Sequence, residues 1–342
     1  MTGGQERYVA SFERVFRLCG VQSGDACAVL SESASREDLR QLAVCALERM
    51  GAQVMQVIVP TPAASFALPV RSTGAAQCLS AMPHAVKALA TCTFIADCTV
   101  EGLQHAAELA DILAGGARVL VISQEHPEIL WRCEPRAEDE LPVRNAMRQL
   151  RQAQVMQVTS AAGTDLRVSL AGARVGGVWG YTTKAGTLTH WPGGLVLAFP
   201  AAGTVNGTLV LAPGDVNLTF KTYLRDTVVL QLHNDHVVQV EGSGVDAKMM
   251  RGYFEAWNDP QAYAVSHVGW GLNRLARWDA MTFYDKQDFN GTELRAFAGN
   301  FLFSTGANEV AGRHTAGHFD LPLCGCTIRI DEMTVVRDGQ LL

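Results

Sequence analysis

Residues 26–59, ACAVLSESASREDLRQLAVCALERMGAQVMQVIV, decide the fold. Short apolar runs at 26–30 and 54–59 predict buried strands. The stretch between them, 36–50, repeats its apolar residues with the spacing of an amphipathic helix. The apolar stripe of that helix consists of Leu39, Ala43, Leu47 and Met50. A strand–helix–strand unit of this kind is typical of a parallel sheet covered by helices.

The same alternation continues to about residue 150. It predicts further strands at 93–96 and 119–122, and helices at 82–90 and 102–113. No strand-to-helix turn in this part of the sequence carries G-x-G-x-x-G or G-x-x-x-x-G-K-[ST]. The predicted parallel sheet therefore comes without a nucleotide-binding signature.

The sequence changes character after a charged segment at 132–151. Short β-type runs follow, separated by glycines and by Asn-Gly and Asn-Asp pairs, which are typical of hairpin turns. We therefore predict an α/β protein with two domains. Residues 1–152 form a parallel-sheet N-terminal domain, and residues 153–342 form a mixed, more antiparallel α+β domain.

Composition excludes several classes of protein. Of the 342 residues, 48% are hydrophobic and 18% charged, which is too apolar for a disordered chain. The net charge of −6 and the lack of a Lys/Arg cluster argue against a nucleic-acid partner. The most apolar stretch, 195–202, is far shorter than the ~20 residues that span a bilayer. With no apolar signal core at the amino terminus, we expect a cytoplasmic protein whose nine cysteines are free thiols.

The densest group of candidate catalytic residues lies near the carboxyl end. His318 and Asp320 are two residues apart in an extended segment, so their side chains share one face. One more histidine would complete a 2-His-1-carboxylate set, which holds Fe(II) and leaves positions open for O₂ and substrate. His267 is the best candidate for that third ligand. The alternative is that His318 and Asp320 form a polar pair without a metal.

Two further histidines have suggestive surroundings. His190 begins a rigid HWPGG turn, and His105 follows the third predicted strand, where open α/β sheets commonly bind ligands. Imidazoles suit acid–base catalysis because their ordinary pKa lies near neutral pH. A packing role is the alternative for both. The segment 297–306, FAGNFLFSTG, could line a pocket for an aromatic substrate or form a core strand and turn.

Four motifs occur in one order: HWPGG at 190–194, SHVGWGLNRLARW at 266–278, GNFLFSTG at 299–306 and HFDLPL at 318–323. In order and spacing they resemble the 2,5-dihydroxypyridine 5,6-dioxygenases of bacterial nicotinate and nicotine breakdown. The resemblance is strong over the carboxyl-terminal half and continuous in layout over the first 150 residues.

The resemblance implies an extradiol-like, ring-cleaving dioxygenase that incorporates both atoms of O₂ and forms N-formylmaleamate. It implies Fe(II) held by His267, His318 and Asp320, and acid–base or substrate-orienting roles for His105 and His190. The substrate would be a small N-heterocycle, and the resemblance suggests a homo-oligomer. Ser304 and Phe220 are candidates for substrate contacts.

The same resemblance leaves two alternatives open. The fold family is also similar to the M29-type leucyl aminopeptidases, which hold two metal ions and need additional carboxylates. Their glutamate ligands fall at Leu195 and His267 here, and a histidine falls near Leu302, which favours a single ion. The other alternative is a metal-free small-molecule binding protein. At the position of Val178 the dioxygenase pattern has Glu. The resemblance therefore leaves open which substituents the ring of the substrate carries.

Overall fold

The computed structural model describes residues 3–63, 76–288 and 290–342. The first 152 residues contain α1 (Gly3–Leu18), β1 (Ala26–Glu32), α2 (Glu37–Arg49), β2 (Gln53–Val59), α3 (Pro83–Ala90), β3 (Phe94–Asp97), α4 (Leu109–Ala114), β4 (Arg118–Val121), α5 (Pro127–Arg132) and α6 (Glu140–Gln152). The four strands pair in parallel in the order β2-β1-β3-β4. Their buried side chains form one core with α1 and α2 and another with α3 and α4 on the opposite face. This is the helix-covered parallel sheet that the apolar pattern predicts.

The rest of the chain is dominated by short strands. It contains β5 (Val155–Ser160), β6 (Asp165–Ser169), β7 (Arg174–Val178), β8 (Thr187–His190), β9 (Leu195–Phe199), β10 (Val205–Leu211), β11 (Val216–Asn217), β12 (Thr222–Tyr223), β13 (Val228–His233), β14 (His236–Glu241), α7 (Val245–Trp257), β15 (Val265–Gly271), α8 (Thr292–Ala296), β16 (Phe301–Thr305), β17 (Phe319–Leu323), β18 (Cys326–Ile330), β19 (Met333–Arg337) and β20 (Gln340–Leu341). Across the described ranges, no helix combines the length and the apolar character that crossing a membrane requires.

Two antiparallel sheets dominate this second half. One has eight strands in the order β14-β13-β10-β6-β5-β18-β19-β20, and the other has five in the order β17-β16-β15-β9-β7. Large buried side chains of the five-stranded sheet, among them Trp270, Phe301 and Phe303, share one core with the eight-stranded sheet and α7. The predicted α/β class, with a parallel sheet followed by more antiparallel structure, is confirmed.

Strand β8 connects the two halves. It extends the parallel sheet at the β4 edge, where Val121 pairs with His190. A strand from beyond residue 152 thus completes the sheet of the first half. The division into domains at 152 and 153 stays a prediction.

The predicted helix at 102–113 is wrong in its first half, because α4 begins only at Leu109. The buried carboxylate of Asp97 accepts hydrogen bonds from the backbone N–H groups of Thr99 and Leu103, at 3.0 and 2.7 Å. Glu32 accepts another from Val100 N–H at 2.7 Å. These bonds hold the backbone after β3 in a loop, and that loop carries His105.

Strand β9 approaches strand β15 closely at Gly269. A Cβ at this position would lie 1.9 Å from the carbonyl oxygen of Val196 on β9. We expect Gly269→Ala to lower the free energy of unfolding by about 1–3 kcal/mol, because β9 must move away from β15. Guanidinium titration followed by circular dichroism measures this.

The matched control is Gly252→Ala on α7. Apart from its two chain neighbours and the backbone of α7, no described atom lies within 4 Å of a Cβ at Gly252. We expect this control to stabilise the protein by about 0.5–1 kcal/mol, since alanine favours a helix over glycine. Equal stability changes in the two variants would contradict the close approach of β9 and β15.

Candidate active site

Three neighbouring strands place three polar side chains in a row across one face of the five-stranded sheet. His267 on β15 pairs with Ser304 on β16, and Ser304 pairs with Asp320 on β17. Residues directly opposite each other on neighbouring strands point to the same face. The residues that alternate with them, such as Val268 and Phe303, belong to the core on the other face. Strand register therefore separates this polar row from the core.

His318 lies immediately before β17 and joins the row. Its Nε2 lies 3.2 Å from Oδ1 of Asp320, and Nε2 of His267 lies 3.6 Å from the same oxygen. The two imidazole centroids are 5.9 Å apart. The structure thus brings the three predicted metal ligands together around one carboxylate oxygen.

Asp320 is ionised although it is only 4% exposed. Arg295 Nε donates to its Oδ2 at 2.6 Å, and the Ser304 hydroxyl donates to its Oδ1. Burial alone raises the pKa of this carboxyl. The positive charge of Arg295 and the neighbouring imidazole of His318 outweigh burial and hold the pKa well below its usual range.

His267 presents a free lone pair to Asp320 because Ser266 selects its tautomer. The Ser266 hydroxyl donates to the carbonyl oxygen of Ala307 at 2.6 Å, and its oxygen lies 3.0 Å from His267 Nδ1. A hydroxyl has one proton, so Ser266 accepts from Nδ1–H, and Nε2 carries no proton. Burial lowers the pKa of His267 to about 3, which keeps the imidazole neutral.

Two more imidazoles come from the carboxyl edge of the parallel sheet. His190 is the last residue of β8, and His105 lies on the loop after β3, with its ring centroid 6.5 Å from that of His318. Burial and the positive charge of Arg295 together lower the pKa of His190 to about 3. The His105 side chain is exposed, and its pKa is lowered by the protein packed around the ring and by His318. Both rings are therefore neutral at neutral pH.

All five predicted catalytic and metal-binding side chains line one cavity. The cavity lies between the parallel sheet and the five-stranded antiparallel sheet. The cavity measures about 820 Å³ including its opening to solvent. Its polar wall carries the imidazoles, Asp320 and Arg295. The apolar part of its lining includes Val178, Leu195, Leu197 and Leu302. A polar wall beside an apolar one suits a flat aromatic ring with polar groups on one edge.

Comparison with known proteins identifies the family. A family model described as 2,5-dihydroxypyridine 5,6-dioxygenase matches residues 7–342. The 2,5-dihydroxypyridine 5,6-dioxygenase of Pseudomonas putida KT2440 is 35% identical over 97% of this chain and 95% of its own length. The chain belongs to the 2,5-dihydroxypyridine 5,6-dioxygenase family. It is therefore an oxidoreductase of the ring-cleaving dioxygenase class.

Solved structures agree with this assignment. The structure of 2,5-dihydroxypyridine dioxygenase from Pseudomonas putida KT2440 matches with a TM-score of 0.93 and 34% identity, covering 99% of this chain and 97% of that one. Wild-type AmpT from Thermus thermophilus matches with a TM-score of 0.66 and 14% identity, covering 98% and 99% of the two chains. At that identity the likeness to AmpT concerns the fold alone. The predicted fold relationship to M29-type aminopeptidases is confirmed.

The two predicted substrate contacts of this dioxygenase are Ser304 and Phe220. Ser304 is fully buried and bonds Asp320. Phe220 packs against Tyr253 and Phe319, with ring centroids 5.7 and 5.5 Å apart. Neither is among the described residues that line the cavity, so their contact with substrate stays a prediction.

Sequence reasoning missed two residues of the dioxygenase site. Arg295 pairs with Asp320 across 25 positions of sequence, and no motif in the chain points to it. Ser266 precedes His267 in the quoted SHVGWG motif, so its place beside a candidate ligand was visible. Its role depends on the carbonyl of Ala307, which the motif does not show.

The proposed ligands His267, His318 and Asp320 have the chemistry that one metal ion requires. Among the residues that the structure describes, no group of three or more His, Cys, Asp or Glu side chains could hold an ion as it stands. The proposed ligands nevertheless combine an ionised carboxylate with a neutral imidazole whose Nε2 is unprotonated. Two donors bound side by side to one ion, each at about 2.1 Å, lie about 3 Å apart. The donor separations of 3.2 and 3.6 Å in this site are close to that value.

Histidines that folding holds in the neutral form make the stability of the dioxygenase depend on pH. The folded-state pKa of His190 is about 3, whereas an unfolded histidine titrates near pH ~6.5. The contribution of this group is fully present above pH ~6.5 and is lost as the pH falls toward 3. We expect His190→Gln to reduce the slope of unfolding free energy against pH by about 1.4 kcal/mol per pH unit.

Urea titrations at a series of pH values between 6 and 4, with a chelator present, measure that slope. The control His84→Gln changes an exposed histidine on α3, and we expect it to keep the wild-type slope. A wild-type slope in His190→Gln would show that the folded protein does not hold His190 in its neutral form.

Proposed function

We propose that this chain cleaves 2,5-dihydroxypyridine between C5 and C6 with O₂ and yields N-formylmaleamate. Both atoms of O₂ enter the product. One Fe(II) ion per chain is held by His267, His318 and Asp320. The family assignment supports the reaction class, and the grouping of these three side chains in the cavity supports the metal.

The observation that carries the proposal is the protonation pattern around Asp320. Metal ligation requires an ionised carboxylate and imidazoles with an unprotonated nitrogen. The structure supports this pattern for Asp320 through Arg295, and for His267 through Ser266. The second imidazole, His318, has its Nε2 3.2 Å from Oδ1 of the same carboxylate, which is close to the separation of two ligands on one ion.

The bound Fe(II) would supply the redox chemistry through which O₂ reacts with an electron-rich ring. The residues of the chain prepare that ring. His105, neutral and at the cavity surface, accepts the proton of a ring hydroxyl as the ring donates electron density. His190 orients the ring from the end of β8. The apolar residues Leu195 and Leu197 exclude water from the ring face opposite the polar wall.

The apolar wall also bears on the choice of substrate. Val178 stands in that wall together with Leu195, Leu197 and Leu302. An edge of the ring that carries only C–H groups fits such a wall without unpaired polar atoms. The substrate test therefore begins with 2,5-dihydroxypyridine and continues with ring-substituted analogues.

The same wall disfavours the two-metal aminopeptidase. Two cations held together need several carboxylates to balance their charge. Among the described lining residues, the carboxylates are Glu101 and Asp320, and Leu195 and Leu302 stand at positions matched to peptidase ligands. The cytoplasmic location, the homo-oligomer and the role in nicotinate breakdown stay predictions.

The test of the metal site uses protein purified without air. We expect one iron per chain in the wild type and loss of bound iron and ring-cleaving activity in His318→Ala and Asp320→Ala. Iron analysis measures the first. The second is the loss of ring absorbance when 2,5-dihydroxypyridine is added anaerobically and O₂ follows.

His314→Ala is the matched control, because His314 is exposed and lies four residues before His318. We expect it to keep both iron and activity. Full iron and activity in His318→Ala and Asp320→Ala would refute the proposed ligands. Two divalent ions per chain would point to the aminopeptidase, and no metal at all to a binding protein.

Replacement of His105 separates proton transfer from metal binding. We expect His105→Gln to lower kcat/KM by about 10²–10⁴-fold with unchanged iron content, because the base is lost while the ligands remain. Steady-state kinetics with parallel iron analysis checks this. The exposed His233→Gln serves as control, and wild-type kinetics in His105→Gln would remove His105 from the mechanism.

A further inference from the structure

His318 lies just outside the hydrogen-bonded ladder of its strand. The pairing of β16 with β17 ends where Thr305 meets Phe319, one residue after His318. Strand β17 is also the edge of the five-stranded sheet. The backbone of a proposed metal ligand therefore needs partners from outside the sheet.

The hydroxyl oxygen of Tyr253 hydrogen-bonds both backbone groups of His318. The hydroxyl of Tyr253 donates to the carbonyl oxygen of His318 at 2.7 Å and accepts from its backbone N–H at 2.8 Å. Tyr253 lies on α7, 65 residues earlier in the chain, and is 2% exposed. One phenol thus replaces the strand neighbour that the ladder does not provide.

The Tyr253 ring is itself held in place. It packs against Phe319 with ring centroids 4.2 Å apart, and Phe220 and Trp257 lie with centroids 5.7 and 5.9 Å away. The position of the hydroxyl is therefore fixed by an aromatic cluster. Phe220, predicted from sequence to touch substrate, belongs to this cluster.

Other contacts hold the same segment on its outer side. The Thr219 hydroxyl donates to the carbonyl oxygen of His318 at 3.0 Å, and Leu218 N–H donates to that of Asp320 at 3.0 Å. The preceding residue, Gly317, leaves no room for a side chain, since its Cβ would lie 2.5 Å from Ala262 Cβ. The chain therefore passes tightly against the region of α7 before it reaches His318.

We propose that Tyr253 is a positioning residue that sets the place of the His318 imidazole relative to Asp320 and so tunes metal affinity. This inference rests on the proposed function, in which His318 is a ligand. Without the hydroxyl, the buried N–H of His318 has lost its partner, and an unpaired buried donor drives the backbone to a new position. A ligand displaced in this way binds its ion less tightly.

The experiment titrates Co²⁺ into chelator-treated full-length protein and follows its visible absorption. We expect Tyr253→Phe, which keeps the ring and removes the oxygen, to bind Co²⁺ about 10–100-fold more weakly than the wild type. We also expect its absorption spectrum to change, because the imidazole takes a different place. Excess Fe(II) should recover part of its kcat.

The matched control is Tyr263→Phe. Tyr263 stacks on Phe254 at the rim of the same aromatic region, with centroids 4.3 Å apart. We expect its Co²⁺ affinity and spectrum to equal those of the wild type. A similar loss of affinity in both variants would mean that the aromatic region as a whole matters, and would overturn the specific role of Tyr253.

A His318→Ala variant separates the two levels of the proposal. If His318→Ala binds Co²⁺ as the wild type does, His318 is not a ligand and the proposed function fails. If His318→Ala loses Co²⁺ while Tyr253→Phe keeps wild-type affinity and spectrum, the positioning role alone is overturned.

A second variant covers the case in which Tyr253→Phe does not fold. Thr219→Val removes one hydrogen bond to the same carbonyl and leaves the aromatic cluster intact. We expect Co²⁺ binding about two- to fivefold weaker, as the loss of one such bond predicts. Wild-type binding in Thr219→Val would show that hydrogen bonds to the His318 carbonyl do not set metal affinity, and would then overturn the proposal.

Discussion

The candidate active site depends on one buried negative charge, that of Asp320. The Asp320 carboxylate lies inside the protein, where an unpaired charge would cost several kcal/mol. Arg295 donates to its Oδ2, and Ser304 donates to its Oδ1. The imidazoles of His267 and His318 approach Oδ1 from the cavity. Removing either donor would leave part of the charge without compensation, so the surrounding elements have to hold both donors in place.

The first half of the chain supplies much of that support. Arg295 lies on the short helix α8, which has little stability of its own. Its neighbour Glu293 forms an ion pair with Arg132 of α5 at 2.7 Å, and the backbone N–H of Thr292 donates to Glu125 at 2.7 Å. Both contacts cross from the parallel-sheet half to the β-rich half. The charge at Asp320 is thus balanced by a guanidinium that the other half of the protein positions.

The sequence predicts those features of the structure that have a local signal in the chain. It does not predict the features that depend on contacts between residues far apart in the sequence. Apolar periodicity predicted β1 to β4, and the H-x-D spacing predicted that His318 and Asp320 share a face. The helix expected at 102–113 failed because Asp97 and Glu32 bind the backbone after β3, which composition does not reveal. Arg295 and Tyr253 act across 25 and 65 positions, and a single sequence carries no record of such pairings.

The guanidinium of Arg295 also has opposite effects on the charge of the carboxyl and of the imidazoles that line the cavity. Burial opposes charge on every group, so burial alone would favour a neutral carboxyl as well as neutral imidazoles. The positive charge of Arg295 lowers the pKa of Asp320, and it lowers those of His190 and His267 as well. For the carboxyl this works against burial, and for the imidazoles it works with burial. One cation beside the row therefore favours a charged oxygen donor and uncharged nitrogen donors together, which is the combination that a metal ion and a catalytic base both require.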